Sequence, residues 1–263
     1  MSLIRQIKCV ENPAGYILSW DVSEDANIVR TSVYGLNSGK EFVLESPLVS
    51  TGRLLLNPSN YSLLTAFKVS VTAIDGTVET TGPIVPQKLV KAERLLLRDM
   101  LFRFNKQCEC TPIGAYKCTI LLRRIDGISC PRCGSEVCSG HGGDGVSDYC
   151  PVCLGIGIEN PYYVYPEDQW MHALSPRDDN NELEAPDVAR SLIVRTFIST
   201  FPLGLRYGDV LVSGTEVYKI IKQDIANSVG NVPVTYNLTV QKYAPEDPRY
   251  KAFVELAGGK GGH

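Results

Sequence analysis

Several features that mark common protein classes are missing from this sequence of 263 residues. It contains no apolar run near the roughly 20 residues that a membrane-spanning helix requires, so it does not predict a membrane protein. It also lacks a Gly-x-Ser-x-Gly elbow, a phosphate-cradling glycine loop and a His-Glu-x-x-His helix, each of which marks a class of enzymes. Only three histidines are present, which leaves few candidates for a general base.

The chain also has no marked excess of charge of either sign. Its formal net charge is -3 and its pI is about 5.7, so composition gives no global case for nucleic-acid binding. The first residues, Met-Ser-Leu-Ile-Arg-Gln, lack the apolar stretch of a signal peptide. We therefore expect synthesis in a cytoplasm, and hydrophobic residues at 44% predict buried cores.

Cysteine, in contrast, is abundant, and four of the nine cysteines form a regular pattern. Cys130-Pro-Arg-Cys133 and Cys150-Pro-Val-Cys153 are matching Cys-x-x-Cys turns separated by sixteen residues. Each turn can present two thiolates, and two such turns supply the four soft ligands of a tetrahedral zinc ion. Glycines after the turns, Gly134 and Gly155, let backbone amides fold back toward the sulfurs. In a reducing compartment this pattern predicts a zinc ribbon rather than disulfides.

Four cysteine ligands leave zinc no open position, which favours a structural ion over a catalytic one. Four further competent ligands lie near the ribbon: Cys108, Cys110, Cys138 and His141. They are either a second metal site or free, partly buried thiols, and their spacings match no standard pattern. The carboxylates of Asp178, Asp179 and Glu182 lie in a polar segment that would keep them solvated. No catalytic residue and no cofactor other than structural zinc is therefore predicted.

The first 87 residues show the pattern of an all-β domain. Tyr16–Trp20 and Val29–Tyr34 are rich in aromatic and β-branched residues, and Phe67–Ala73 alternates apolar with polar residues before an Asp75-Gly76 turn. The early tryptophan strand and the late Val-x-Val-x-Ala strand resemble those of fibronectin type III or immunoglobulin-like sandwiches. Phe67 stands where that family has a tyrosine. The resemblance implies a spacer or adhesion module rather than an enzyme.

Helical spacing follows at about 87–105, where Leu89, Ala92, Leu96 and Met100 recur. Further apolar residues in the same stretch widen the apolar surface beyond one stripe. Either this helix has two packing partners, its own domain and a second domain or subunit, or it has one wide core-facing side. Basic residues prevail over 88–132, and acidic residues prevail over 136–187. Such opposed blocks suit assembly between subunits, where complementary charge fixes the register.

The pattern over the whole chain predicts a mainly β, multidomain protein. The expected parts are an N-terminal β-sandwich, one long helix, a central zinc ribbon, and a small C-terminal β-barrel or sandwich. Their predicted bounds are 1–87 for the sandwich, 88–107 for the amphipathic linker helix, 108–174 for the cysteine-rich zinc module, 175–189 for an acidic linker, 190–253 for the C-terminal β-domain and 254–263 for a flexible tail.

Two family resemblances meet at the ribbon. The run from Cys150 to Gly157 resembles the Cys-x-x-Cys-x-Gly-x-Gly unit of DnaJ-type chaperones. Those proteins carry four such units and a J-domain His-Pro-Asp, whereas this chain has one complete unit and no such tripeptide. The likeness therefore implies the metal-binding turn and not the chaperone.

The second resemblance covers roughly 87–252 and combines several short motifs. They are a leucine- and arginine-rich helix, the ribbon, Tyr162 to Pro166, Trp170-Met171, the run Leu205 to Val212, Val217 to Ile220, and Asp247-Pro-Arg-Tyr250. In this order they resemble a tailed-bacteriophage virion protein of the neck or tail region. Small β-barrels of head-completion and stopper proteins carry a similar Gly-Asp-x-Leu/Ile-Val run, and fibronectin-like domains decorate the same particles.

The resemblance implies a non-enzymatic virion component at the neck or head-to-tail connection. Copies would assemble as a ring and contact other virion proteins of the portal, connector or tail, without a membrane partner. The alternative is a zinc-ribbon nucleic-acid-binding or regulatory protein that uses the basic stretch 88–132. Assembly is favoured over nucleic acid because the chain is acidic overall.

Overall fold

The structure is a computed structural model that describes residues 2–23, 27–57, 63–110, 114–132, 150–174 and 194–259. Within these ranges the chain forms fourteen β-strands and two α-helices, so the predicted mainly β fold class is confirmed. The predicted acidic linker 175–189 lies outside the described residues, together with Asp178, Asp179 and Glu182.

Seven N-terminal strands form two antiparallel sheets. Their bounds are β1 Ile4–Asn12, β2 Gly15–Val22, β3 Ile28–Asn37, β4 Lys40–Leu44, β5 Arg53–Leu56, β6 Ala66–Ala73 and β7 Val78–Thr80. The first sheet has the order β1-β2-β5, and the second has the order β4-β3-β6-β7. A single 3-10 turn at Val49–Thr51 precedes β5.

Alternating side chains from both sheets fill one core. Leu18 and Trp20 on β2 and Phe67 and Val69 on β6 are almost completely buried and belong to one apolar cluster. Full burial of such a side chain contributes about 1.5–3 kcal/mol. Because successive side chains of a strand point to opposite faces, alternating apolar residues determine which face of the strand turns toward the core. The Asp75-Gly76 turn joins β6 to β7 as predicted.

The remaining seven strands form a third sheet. They are β8 Ala115–Arg123, β9 Tyr162–Val164, β10 Gln169–Ala173, β11 Val194–Ser199, β12 Val210–Ser213, β13 Glu216–Val229 and β14 Val232–Lys242. Their order is β10-β11-β14-β13-β12-β8-β9, and an additional β10–β8 pairing closes six of them into a barrel. The sequence left open a barrel or a sandwich at this end of the chain, and the structure has the barrel.

Two barrel strands come from a part of the chain that the sequence placed in the zinc module, 108–174. β8 contains the buried run Ile120, Leu121 and Leu122, and β10 pairs with it in register. A continuous apolar run is typical of a strand that is covered on both faces. The apolar run of β8 was overlooked because it lies next to the cysteines in sequence and was therefore assigned to the zinc module.

The chain divides into two compact units. One consists of Met1–Lys91 and Arg123–Tyr163, and we call it the sandwich unit; the other consists of Ala92–Leu122 and Val164–His263, and we call it the barrel unit. The cysteine turns belong to the sandwich unit. The range predicted as the zinc module, 108–174, is therefore divided between the two units and is not a separate domain.

Helix α1 spans Lys91–Cys110 and begins later than the predicted start at residue 87. The segment before it is held in extended form by β1. Gln87 N–H donates to the Cys9 carbonyl at 2.9 Å, and Leu89 N–H donates to a Glu11 carboxylate oxygen at 2.8 Å. Gln87 thus pairs with the backbone of β1 and Leu89 with one of its side chains, so the chain before Lys91 follows β1. Neither helix of the described residues is both long and apolar enough to cross a membrane.

Helix α2 spans Pro248–Gly258 and was not predicted. Asp247 caps its first turn, where the carboxylate accepts from Arg249 N–H, and Pro248 occupies the first helical position. An Asp-Pro pair of this kind is a recognised helix start, so the signal was present in the sequence. Residues 254–258, predicted as part of a flexible tail, are helical because Phe253 is fully buried.

Candidate metal centre

Three cysteines from the two predicted turns meet in the sandwich unit. The sulfurs of Cys130, Cys150 and Cys153 all lie within 4.8 Å of one another, and the three side chains are buried. They form a small buried cluster of their own. This is the one group of potential metal ligands of this kind in the described part of the chain. The structure thus brings together three of the four predicted ligands.

The spacing of the sulfurs suits a shared metal ion. Cys130 Sγ and Cys150 Sγ are 3.7 Å apart. Two sulfurs bound to zinc at about 2.3 Å in a tetrahedron lie about 3.8 Å from each other. A disulfide would bring them to about 2.05 Å. The geometry is therefore that of adjacent ligands, and the three thiols are free of disulfide bonds.

The second turn, Cys150 to Gly157, wraps its own backbone around the sulfurs. Leu154 N–H donates to the Cys150 carbonyl at 2.8 Å, and Ile156 N–H donates to the Cys153 carbonyl at 2.9 Å. Leu154, Gly155 and Gly157 have positive φ angles of 50°, 83° and 84°. Glycine adopts this conformation without a steric penalty, which explains the two glycines at these positions.

A short antiparallel pairing joins the two cysteine turns. Ser129 forms a β-bridge with Ile158, and Cys130 N–H donates to the Gly157 carbonyl at 2.8 Å. The carbonyl of Ile128, the residue before Ser129, accepts from Glu159 N–H at 2.9 Å. These backbone bonds hold the two turns side by side.

Backbone amides set the protonation of the thiols. Burial alone would raise the pKa of Cys150, but the N–H groups of Cys153 and Val152 donate to its sulfur and lower the pKa to about 7. Burial raises the pKa of Cys153, and donation from the amides of Gly157 and Gly155 opposes this only in part. Amides aimed at sulfur stabilise thiolates, the form that binds metal. Gly155 therefore has the predicted role.

The cluster is anchored to the sandwich core by the segment that leads into it. Ile125 N–H donates to the Ser50 carbonyl at 2.6 Å, and the Ile125 side chain packs against the core cluster of the sandwich. Asp126 is buried, and Gly127 then turns the chain toward Ser129. The position of the thiols is thus tied to the β-sandwich through a few residues.

The other predicted ligands are not gathered by the described structure. Cys133, the fourth ribbon ligand, lies outside the described residues, as do Gly134 and the second-site residues Cys138 and His141. Cys108 is buried on α1 and Cys110 is exposed at its end, and neither belongs to a ligand group within the described ranges. Burial raises the pKa of the Cys108 thiol, with the neighbouring Glu109 charge adding to the effect.

What the sequence did not reveal is the packing that supports the site. A Cβ on Gly127 would lie 2.5 Å from Cγ2 of Ile158, so the two segments approach as closely as a glycine permits. The two residues are far apart in sequence and neither is a ligand. A glycine shortly before a Cys-x-x-Cys turn was the available signal, but its contact partner lies beyond any local pattern.

No known family model matches this chain, and neither a curated protein nor a solved structure is significantly similar to it. Three buried, closely spaced thiols can bind a soft metal ion tightly.

Proposed function

We propose that this protein is a non-enzymatic structural protein of a tailed-phage virion, in which a zinc ion clamps the central module. It belongs to the neck or head-to-tail connection and assembles as a ring with copies of itself and with portal, connector or tail proteins. It is made in the cytoplasm of the bacterial host and then incorporated into the virion. The observation that carries the metal part of this proposal is the buried cluster of Cys130, Cys150 and Cys153.

Zinc is the metal that this donor set favours. Thiolates are soft ligands, and a site that holds three of them within 4.8 Å of one another favours zinc over the harder magnesium or calcium ions. Cys133 completes the site as the fourth ligand, because it closes the same Cys-x-x-Cys turn that begins at Cys130. Four thiolates leave no position for a substrate. The role of the ion is therefore to hold the two turns together.

The sandwich and barrel support the virion part. A seven-stranded sandwich and a small closed barrel are the modules that the phage resemblance implies. In the sandwich, β4 pairs with β3, whereas the fourth strand of a constant-type immunoglobulin domain joins the opposite sheet. This strand order favours the fibronectin-like interpretation over the constant-type immunoglobulin one. In this proposal both modules act through their contacts with neighbouring proteins.

Two measurements on the purified protein test this proposal. Metal analysis should give about one zinc per chain, because the four-cysteine site is closed. Negative-stain images or mass measurement should show a ring of copies, alone or in the virion. A chain with no bound zinc would refute the clamp, and a protein that neither forms rings nor co-purifies with virions would refute the structural role. Two zinc ions per chain would instead support the second site at Cys108, Cys110, Cys138 and His141.

A nucleic-acid-binding function is the second candidate, and one observation favours it. Helix α1 carries five exposed cationic side chains: Lys91, Arg94, Arg98, Arg103 and Lys106. Such a helix can contact phosphates. If this function is correct, the protein should retard DNA with an affinity that falls steeply as salt is raised. Self-assembly that is insensitive to salt, with no DNA retardation, would leave the structural function in place.

A further inference from the structure

An open cavity of about 150 Å³ lies in the barrel unit between strands β13 and β14 and the first turn of α2. Three cationic side chains line it: Lys219 on β13, Lys242 on β14 and Arg249 on α2. Asp247 is the one carboxylate among its described lining residues. A cavity with this excess of cations attracts anions, and its volume admits one oxyanion group together with bound water.

Two of the three cations already have carboxylate partners. Lys242 pairs with Glu216 at 2.5 Å, and Arg249 donates to both carboxylate oxygens of Asp247, at 2.9 Å and 2.7 Å. Lys219 forms no ion pair in the described part of the chain, and its ammonium donates to a neutral tyrosine hydroxyl. Three cations and two carboxylates leave a net charge of +1. One singly charged anion, such as a phosphodiester or a carboxylate, would balance it.

An exposed aromatic ring adjoins the cavity and favours one of these anions. Tyr207, in the loop before β12, accepts the hydrogen bond from Lys219 at 3.2 Å, and the Lys219 ammonium lies 4.6 Å from the centroid of its ring. Tyr207 is 60% exposed, so most of its ring remains open to a ligand. A nucleobase stacks on such a ring, whereas a carboxylate gains nothing from it. Because Lys219 contacts both parts, a phosphate in the cavity and a base on Tyr207 can belong to one nucleotide.

Side chains, and not the helix terminus, supply this site. Asp247 accepts from Arg249 N–H at 2.9 Å and so occupies the N-terminus of α2 as its cap. The ring of Tyr207 in turn selects the form of nucleic acid. Bases in a duplex are paired and stacked on one another, so a surface ring can stack only on an unpaired base.

We propose that the cavity and Tyr207, together called the β13–α2 site, bind one nucleotide of a single-stranded nucleic acid, with its phosphodiester at Lys219 and its base stacked on Tyr207. None of the five exposed cationic residues of α1 lines this cavity. The site is therefore separate from the α1 surface considered above. It does not depend on the virion function, and its failure would leave the zinc clamp and the ring unaffected.

Fluorescence anisotropy of a short labelled oligothymidylate, titrated with the full chain, tests this site. Tyr207→Leu should weaken binding by about tenfold or more, whereas Tyr207→Phe keeps the ring and should bind as the wild type does. Lys219→Gln should weaken binding and lower the slope of log affinity against log salt by about 0.7, the contribution of one phosphate contact. Lys222→Gln is the matched control, since Lys222 is 65% exposed on the same strand and pairs with Asp224 outside the cavity.

Competitors identify the anion that the site recognises. A duplex of the same length should bind at least tenfold more weakly than the single strand, and a short polyglutamate peptide should not displace the oligothymidylate. Circular dichroism and metal content should match the wild type in all variants, which separates a lost contact from a loss of folding.

Four results would overturn the proposal. They are a wild-type protein that binds no single strand at low salt, a Tyr207→Leu variant as strong as the wild type, a Lys222→Gln variant as weak as Lys219→Gln, and displacement by polyglutamate as effective as that by unlabelled oligothymidylate. Binding that is lost in Arg98→Gln and retained in Tyr207→Leu would place the strand on α1 instead.

Discussion

Gly127 stands at the entrance to the metal centre, where an added methyl group has no room. Its Cβ would lie 2.5 Å from Cγ2 of Ile158, the residue that bridges to Ser129 just before Cys130. Gly127→Ala should push the two cysteine turns apart and lower the stability of the module by about 1–3 kcal/mol. A chelator titration measures this effect directly. Zinc should leave the variant at a lower chelator concentration than it leaves the wild type.

Gly82→Ala provides the control for this experiment. A Cβ there meets no atom within 4 Å, so stability should change by no more than about 0.5 kcal/mol. If Gly127→Ala holds zinc as tightly as Gly82→Ala does, the close approach of Gly127 and Ile158 does not support the site.

At the level of residues, the ligands could be predicted and their support could not. A Cys-x-x-Cys turn is recognisable in a sequence because both ligands come from one local turn. Cys130, Cys150 and Cys153 were therefore identified by spacing alone. Gly155 was identified for the same reason, since amide donation to a sulfur is also local. The Gly127–Ile158 contact joins the segment that precedes the ribbon in sequence to the segment that follows it. No local pattern encodes such a pair. Cys133 remains a prediction.

At the level of elements, α2 depends on a charged cap whose contribution should vary with pH. Burial opposes ionisation of Asp247, but hydrogen bonds from the Arg249 side chain and amide outweigh it and hold the pKa of Asp247 below its ordinary 3.8. Asp247→Ala should cost about 1 kcal/mol at neutral pH, because the first turn loses its cap. A folded-state pKa that is depressed gives stability above the ordinary pKa, which is lost as pH falls through the folded value.

Urea unfolding of wild type and Asp247→Ala at several pH values measures this difference. It should be constant near neutral pH and shrink only below pH 3.8, the ordinary value for aspartate. Asp224→Ala is a suitable control, since Asp224 pairs with Lys222 on an exposed part of β13 and is not a cap. A difference that grows as the solution is acidified would contradict the capping role of Asp247.

Among the elements, the type of element that a periodic pattern predicted was more reliable than the predicted start and end of that element. β6 was predicted because its alternation reflects a buried and an exposed face, a property of the strand itself. The start of α1 was placed too early, because Leu89 satisfies a helical spacing yet its amide is bound by β1. β8 was missed for a different reason. Its apolar run is a local strand signal, but its position next to the cysteines placed it in the zinc module.

At the level of the whole molecule, the division of the chain into two units indicates which parts depend on the metal for folding. The segment Arg123–Tyr163 belongs to the sandwich unit, although segments of the barrel unit precede and follow it in sequence. Both units have apolar cores that, within the described residues, include none of the three clustered cysteines, with Val69 fully buried in one core and Val240 in the other. A core of this kind folds through burial of apolar surface and does not require an ion.

Loss of the metal should therefore unfold the cysteine turns and leave both β-cores folded. Cys130→Ser removes one ligand, and hydrogen exchange should show fast exchange at 150–159 but wild-type protection in β6 and β14. Cys110→Ser is the matched control, because Cys110 is exposed and belongs to no ligand group in the described structure. If Cys130→Ser also abolishes protection in β6 or β14, the metal stabilises a β-core and not only its own turns. If Cys110→Ser releases zinc, the alternative second site is occupied.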